Sequence, residues 1–185
     1  MPVTFRRRAI GGVLVGLAIL AATMLGSAPA NAAAAGPTLI FRGTFVFEVR
    51  AGTGQAALST NAIYPQPGPA SVVAQNVSAG KQWNMFIVST GGGVLLKSTT
   101  AGLCLDGNST ANGATATANA CDDVAPFDTS QLWIITSVPG NATYMNMRNN
   151  LSGRYLTAIG TSRVESQNLG SNNFSQQWKM TQVCC

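Results

Sequence analysis

Side chains that could carry out catalysis are scarce in this 185-residue sequence, which has no histidine, two glutamates and four aspartates. Without histidine there is no Ser-His or Cys-His pair and no ordinary zinc site, and no glycine-rich phosphate loop is present. Glycoside hydrolysis needs two positioned carboxylates, and Asp106 with Asp122 or Asp123 would supply them only by accident of the fold. We therefore expect a protein that is not an enzyme and that uses no metal and no cofactor.

The four cysteines are the other reactive groups. Cys104 and Cys121 lie inside the chain, whereas Cys184 and Cys185 are neighbours. Four cysteines allow three pairings. Adjacent Cα atoms lie about 3.8 Å apart, closer than the roughly 4.4–6.8 Å of a relaxed disulfide. The pairing of Cys184 and Cys185 is therefore left open, and it includes a disulfide-linked dimer through either of them.

The first 32 residues have the features of an export signal. Three arginines at 6–8 precede an apolar run over residues 9–25, and the small residues at 30–32 suit signal peptidase. The alternative is a retained membrane anchor, although the run is about as short as such helices get. Cleavage after Ala32 leaves eight basic and six acidic residues, a net charge of +2. We expect a secreted, extracellular protein in an oxidising compartment, with no membrane partner after cleavage and no nucleic-acid partner, because no basic patch remains.

The elements that must position these groups are short β-strands. Residues 44–49, 86–88, 94–96 and 133–135 are rich in β-branched or aromatic side chains, and Gly, Pro, Asn or Ser turns bound them. The small and polar residues 107–120 are expected to form a long, adaptable hairpin. This pattern predicts an all-β fold.

Three markers recur in the same order along the chain and indicate an internal repeat. The only tryptophans, Trp83, Trp133 and Trp178, are spaced by 50 and 45 residues. Upstream of each lies a glycine followed by a strand-like run, and a second shared string lies between these two markers. The alternative is chance spacing of three tryptophans in a generic β-sandwich. A large ring with one donor suits packing between repeats, so we assign all three tryptophans to the structural core.

Repeats of this length cannot each bury a core of their own. Packed around a pseudo-threefold axis they can, and closure also removes exposed sheet edges. We expect repeats over residues 38–86, 87–136 and 137–183, in a single domain at 38–185 that follows a short segment at 33–37.

Three repeats that close on Gln-x-Trp resemble the ricin B-type lectin family, whose fold is the β-trefoil, and the chain looks like a small exported bacterial member. Residues 131–133 and 176–178 fit the motif, whereas the copy at 81–83 has Lys81 in the place of the glutamine. Residues 104–106 match the family's Cys-Leu-Asp, and Cys121 falls at its second cysteine. The resemblance covers about residues 38–183 and implies a disulfide between Cys104 and Cys121.

The resemblance also implies one shallow sugar pocket in each repeat. Such a pocket needs a carboxylate and amides for the hydroxyls and an aromatic ring for the C–H face. The second repeat keeps Asp106 and Gln131, with Asn119 at the place of the ring, so these three are the candidate carbohydrate-binding residues. The other repeats lack the carboxylate, because Ser59 and Thr157 hold the place of the aspartate.

Two alternatives concern this second-repeat pocket. The first is that Asp106 has an ordinary structural role, in which its carboxylate hydrogen-bonds the backbone of a turn before Gly107. The missing ring has candidate substitutes in the loop after Cys121, which contains Asp122, Asp123 and Phe127.

The function that the resemblance implies is that of an extracellular, lectin-like carbohydrate-binding protein with at most one family-like pocket. One alternative is a degenerate β-trefoil that binds protein, such as a protease inhibitor, which exposed loop positions for Phe127 or Tyr144 would favour. Another is a structural cell-surface protein held as a disulfide dimer.

Overall fold

Runs of β-branched and aromatic residues form the strands that the sequence predicts. The computed structural model describes residues 36–51, 56–61, 70–75 and 80–184, so the expected export signal and Cys185 lie outside the described residues. The strands in this part of the chain are β1 Leu39–Val49, β2 Ala57–Thr60, β3 Ala70–Gln75, β4 Gln82–Val88, β5 Val94–Ser98, β6 Cys104–Asp106, β7 Ala114–Thr115, β8 Thr117–Asn119, β9 Leu132–Val138, β10 Asn141–Asn149, β11 Tyr155–Ile159, β12 Arg163–Gln167 and β13 Trp178–Cys184. A 3-10 helix, Phe174–Gln176, precedes β13. Among the described residues no helix is long and apolar enough to cross a membrane.

Six strands close into a barrel. Strand β1 pairs with β4, β4 with β5, β5 with β9, β9 with β10, β10 with β13, and β13 with β1, all of them antiparallel. Each barrel strand thus has a neighbour on both sides, which removes the free edges that would template association with another chain.

Three hairpins complete the fold, one from each repeat: β2–β3, β6–β8 and β11–β12. Each hairpin continues from a barrel strand, through the Cα partners Glu48 with Ala57, Lys97 with Cys104, and Arg148 with Tyr155. The barrel and the three hairpins take four strands from each repeat, with the two-residue β7 as an additional strand of the second, and make an all-β β-trefoil with pseudo-threefold symmetry. This fold was predicted from the sequence.

The three tryptophans make the same contact in each repeat and so identify equivalent positions. Each indole is fully buried, and its Nε1 donates to the main-chain oxygen of a leucine in the same repeat. The pairs are Trp83 with Leu58 at 2.9 Å, Trp133 with Leu105 at 3.0 Å and Trp178 with Leu156 at 3.0 Å. The residues that follow these leucines, Ser59, Asp106 and Thr157, therefore occupy equivalent places.

The disulfide between Cys104 and Cys121 is confirmed, with Cα atoms 5.0 Å apart. It ties the first residue of β6 to the segment that follows β8, and both cysteines pack in a small apolar cluster with Val88, Leu95 and Leu132. Cys184 is exposed at the end of β13, and Cys185 is not described. A dimer through either of these two cysteines stays a prediction.

The segment at residues 107–120 differs from the adaptable hairpin expected. It contains β7, which pairs with β12 of the third repeat, and β8, which pairs with β6 and with β3 of the first. Arg154 also holds it, because its Nε donates to the main-chain oxygen of Thr110 at 2.8 Å. Contacts with both neighbouring repeats, which composition alone does not reveal, fix the segment.

Candidate functional site

Asp106 is the last residue of β6 and is buried, with 5% of its surface exposed. Its Oδ1 accepts a hydrogen bond from the main-chain nitrogen of Asn108 at 2.6 Å, and its Oδ2 accepts one from Asn119 Nδ2 at 2.8 Å. Asn108 has a φ of +60°, a left-handed conformation that asparagine tolerates. Asp106 thus makes its own turn and orients Asn119 at the same time. Since a carboxylate offers about four acceptor positions, both oxygens keep capacity for further donors.

Asn119 lies beside Asp106 because β6 and β8 form one hairpin, in which Asp106 faces Thr117 and Cys104 faces Asn119. Asn119 Nδ2 also donates to Thr117 Oγ1 at 3.2 Å. Within the described part of the chain Asn119 Oδ1 makes no hydrogen bond, and the residue is half-buried. The structure therefore brings these two candidate residues together as an oriented carboxylate–amide pair.

Gln131 is buried, and backbone groups occupy both ends of its amide. Its Nε2 donates to the main-chain oxygen of Ala120 at 2.8 Å, and its Oε1 accepts from the main-chain nitrogen of Asp122 at 2.9 Å. Gln176 does the same in the third repeat, donating to Asn168 O and accepting from Gly170 N. The glutamine of the motif thus clamps the segment that follows the hairpin.

The loop after Cys121 contains the side chains considered as substitutes for the missing ring. Phe127 is half-buried and packs against the apolar cluster around the disulfide, while Asp123 is exposed. Tyr144, the other ring considered for protein binding, is half-buried in β10 with the Arg50 guanidinium 4.8 Å from its centroid. Neither ring is the exposed loop aromatic that the protein-binding alternative called for.

The third repeat contains a carboxylate that the motif position at Thr157 does not reveal. Glu165 on β12 faces Thr157 across the hairpin, and its Oε2 accepts from Gln167 Nε2 at 2.8 Å. The same carboxylate pairs with Arg163 Nε at 2.6 Å. The alternation of side chains along β12 was the signal available, since residues facing each other across a hairpin share one side of the sheet.

The two carboxylate–amide pairs, Asp106 with Asn119 and Glu165 with Gln167, differ in whether a cation is bound to the carboxylate. Glu165 has a cation bound to it, whereas Asp106 has no ion-pair partner among the described residues. No cation therefore competes with hydroxyl donors for the remaining lone pairs of Asp106, and hydrogen bonds to a charged carboxylate are stronger than neutral ones. The described residues also contain no group of three or more Cys, Asp or Glu side chains suited to hold a metal.

Comparisons with known proteins agree with this architecture. The family model described as ricin-type beta-trefoil lectin domain-like matches residues 79–162. No curated protein sequence matches the chain.

Solved structures resemble the chain over about three quarters of its length. The designed threefold-symmetric protein ThreeFoil is 20% identical with a TM-score of 0.63, over 77% of this chain and 100% of that one. A salivary protein from Culex quiquefasciatus is 16% identical with a TM-score of 0.60, over 76% and 94%. The Macrolepiota procera ricin B-like lectin in complex with lactose is 14% identical with a TM-score of 0.56, over 75% and 94%. The chain therefore has the β-trefoil fold and carries, over residues 79–162, a match to the ricin-type β-trefoil lectin-like domain.

Proposed function

We propose that this protein is an extracellular, lectin-like carbohydrate-binding protein whose family-like sugar site is centred on Asp106 and Asn119. The observation that carries the proposal is the Asp106 carboxylate, oriented by two hydrogen bonds and bound to no cation among the described residues. The lactose complex of the Macrolepiota procera lectin supports it by similarity of fold.

Asp106 and Asn119 would each bind hydroxyl groups of the sugar. The remaining lone pairs of Asp106 accept protons from sugar hydroxyls, and Asn119 Oδ1 accepts another. Gln131 is a positioning residue, because it fixes the backbone on both sides of Cys121 and so fixes the end of β8. The ligand is a neutral sugar, since an anionic one would be repelled by Asp106.

The affinity is expected to be weak. The place of the stacking ring holds Asn119, and an aromatic ring supplies much of the contact area in sugar sites. We expect a Kd on the order of 1 mM for a monosaccharide, equivalent to about −4 kcal/mol.

A glycan array followed by calorimetric titration tests the site with a matched pair of variants. Asn119 and Gln167 stand at equivalent places in the second and third repeats. Asn119→Ala should weaken binding of the array's best neutral glycan about tenfold, as expected for a lost hydrogen bond to a hydroxyl, while Gln167→Ala should leave it unchanged. Equal effects of the two variants, or retention of no glycan at all, would contradict the proposal.

Export rests on the first 32 residues and has a separate test. Expression of the whole chain in a secreting host should release a protein whose intact mass corresponds to residues 33–185. A protein of full mass that stays in the membrane fraction would support the anchor instead.

A further inference from the structure

A cavity lies in the third repeat, and neither Asp106 nor Asn119 lines it. Its volume is about 270 Å³. Between the β9–β10 turn and the loop at 169–173, the lining residues are Val138, Pro139, Asn146, Leu169, Gly170, Ser171, Asn172, Asn173 and Gln177. None of them carries a charge, and four of them carry amides.

Gln177 reaches this cavity from a fixed position. It is 7% exposed, and its Oε1 accepts from Arg50 Nη1 at 2.6 Å. The Arg50 guanidinium is itself held by two rings, with its Cζ 4.1 Å from the Phe174 centroid and 4.8 Å from that of Tyr144. Gln177 Nε2 makes no hydrogen bond to any described residue, so a donor from a buried, fixed amide remains unused.

Asn146 offers the complementary group. It is 8% exposed, and its Nδ2 donates to the main-chain oxygen of Gln176 at 2.8 Å. Its Oδ1 has no hydrogen-bond partner in the described ranges. Asn173 behaves like Gln177, because its Oδ1 accepts from the main-chain nitrogen of Ser175 at 3.0 Å and its Nδ2 stays unused among those residues. Three amides thus each have one end fixed and the other end unused.

The unused ends of these three amides are open to solvent, because Ser166 Oγ is the one side-chain polar atom of the described residues that is both buried and without a partner; a ligand in the cavity can therefore reach them directly. Here one acceptor and two donors share a cavity with the apolar walls of Leu169, Val138 and Pro139. This combination matches a molecule with several neutral hydroxyls and an apolar C–H face. A carboxylate or ammonium ligand would find no counter-charge among the lining side chains.

We propose that this cavity is a second carbohydrate site, which takes one ring of a neutral pyranoside. A hydroxyl donates to Asn146 Oδ1, neighbouring oxygens accept from Gln177 Nε2 and Asn173 Nδ2, and Leu169 contacts the C–H face of the ring. The proposal rests on the proposed function for the ligand class and shares no residue with the site at Asp106. The cavity is slightly smaller than typical drug-sized pockets, which restricts it to a single ring.

Nuclear magnetic resonance of ¹⁵N-labelled protein, purified after expression of the whole chain, tests this site. The probes are the methyl pyranosides of galactose, glucose and mannose, each titrated into the millimolar range. At least one should shift the side-chain amide signals of Asn146 and Gln177 in a saturable manner. If none of the three shifts these signals, the proposal is overturned.

Three variants separate this site from the first. Ser171→Trp places a ring in the cavity from an exposed position and should abolish the shifts at Asn146 and Gln177, and Leu169→Ala, which removes part of the apolar wall, should weaken the binding that produces them. Asp106→Asn should leave these shifts in place. Shifts confined to Asn119 would overturn the second site and leave the proposed function standing. Shifts confined to Asn146 and Gln177 would do the reverse for the site at Asp106, and shifts that persist unchanged in both Ser171→Trp and Leu169→Ala would overturn the cavity.

Discussion

At the scale of single residues, three equivalent places hold Ser59, Asp106 and Thr157, and each has a different use. Ser59 Oγ donates to the main-chain oxygen of Ala57, and Thr157 Oγ1 donates to that of Tyr155 while accepting from Gln176. Asp106 alone presents a charged acceptor. A change of one residue thus separates a structural position from a candidate binding position in otherwise matching hairpins.

Gly107, next to Asp106, is required for close packing. A Cβ at this position would lie 2.6 Å from Asn149 Nδ2, and Asn149 cannot move away because it is fully buried and donates to Ser130 O at 2.6 Å. Gly107→Ala should lower the free energy of unfolding by about 1–3 kcal/mol, as overpacking does. Urea denaturation measures this change.

Gly92→Ala is the matched control for that prediction. A Cβ there would meet Val88 Cγ1 at 3.7 Å, an ordinary contact distance. The control should change stability by less than half as much as Gly107→Ala. Equal effects of the two substitutions would refute the packing explanation.

At the scale of elements, the hairpin β6–β8 is held from several sides. The disulfide fixes its base, Gln131 clamps the segment after it, and Arg154 holds the loop between its strands. Asp106 and Asn119 lie in this restrained hairpin. A weak ligand loses less affinity to ordering when its site is already fixed.

Removing the disulfide should weaken the fold measurably. Closure of the loop between Cys104 and Cys121 is worth about 3 kcal/mol in the chain-entropy model. The double variant Cys104→Ser, Cys121→Ser should lose a comparable amount of unfolding free energy in urea, because two buried or half-buried sulfurs also become hydroxyls. A loss below about 0.5 kcal/mol, smaller than the usual range, would show that the cross-link adds nothing to the hydrogen bonds of the hairpin.

At the scale of the whole molecule, the barrel takes strands from all three repeats, so no repeat closes by itself. Each repeat has its own buried tryptophan. Unfolding should therefore appear as one transition, with tryptophan fluorescence and far-ultraviolet circular dichroism giving the same midpoint. Separate transitions for the two signals would mean that one repeat unfolds independently.

The sequence contains enough information to predict this architecture. Trp83, Trp133 and Trp178 mark one place in each repeat, and residues 104–106 with Cys121 indicate the disulfide. These are local signals, repeated along the chain, and they need no knowledge of distant contacts.

Features that depend on distant contacts were not predictable in this way. The bond from Asn119 to Asp106 depends on the register of β6 with β8, and the carboxylate of Glu165 depends on that of β11 with β12. Arg50 donates to Gln177 and lies over the ring of Phe174, although both residues follow it by more than a hundred positions in the chain. No periodicity or motif relates Arg50 to Phe174 and Gln177, so only the folded chain brings these residues together.

The central claim is that Asp106 binds sugar through its charge, and Asp106→Asn tests it most directly. Asparagine keeps an oxygen for the Asn108 nitrogen, and the Asn119 amide can turn to present its own oxygen, so the hairpin should stay folded. Hydrogen bonds to charged groups are worth about 1.5–3 kcal/mol, so calorimetric titration of the array's best neutral glycan should show affinity at least about tenfold weaker. The exposed variant Asp123→Asn should bind like the unsubstituted protein. Unchanged affinity in Asp106→Asn, with the fold intact, would contradict the account.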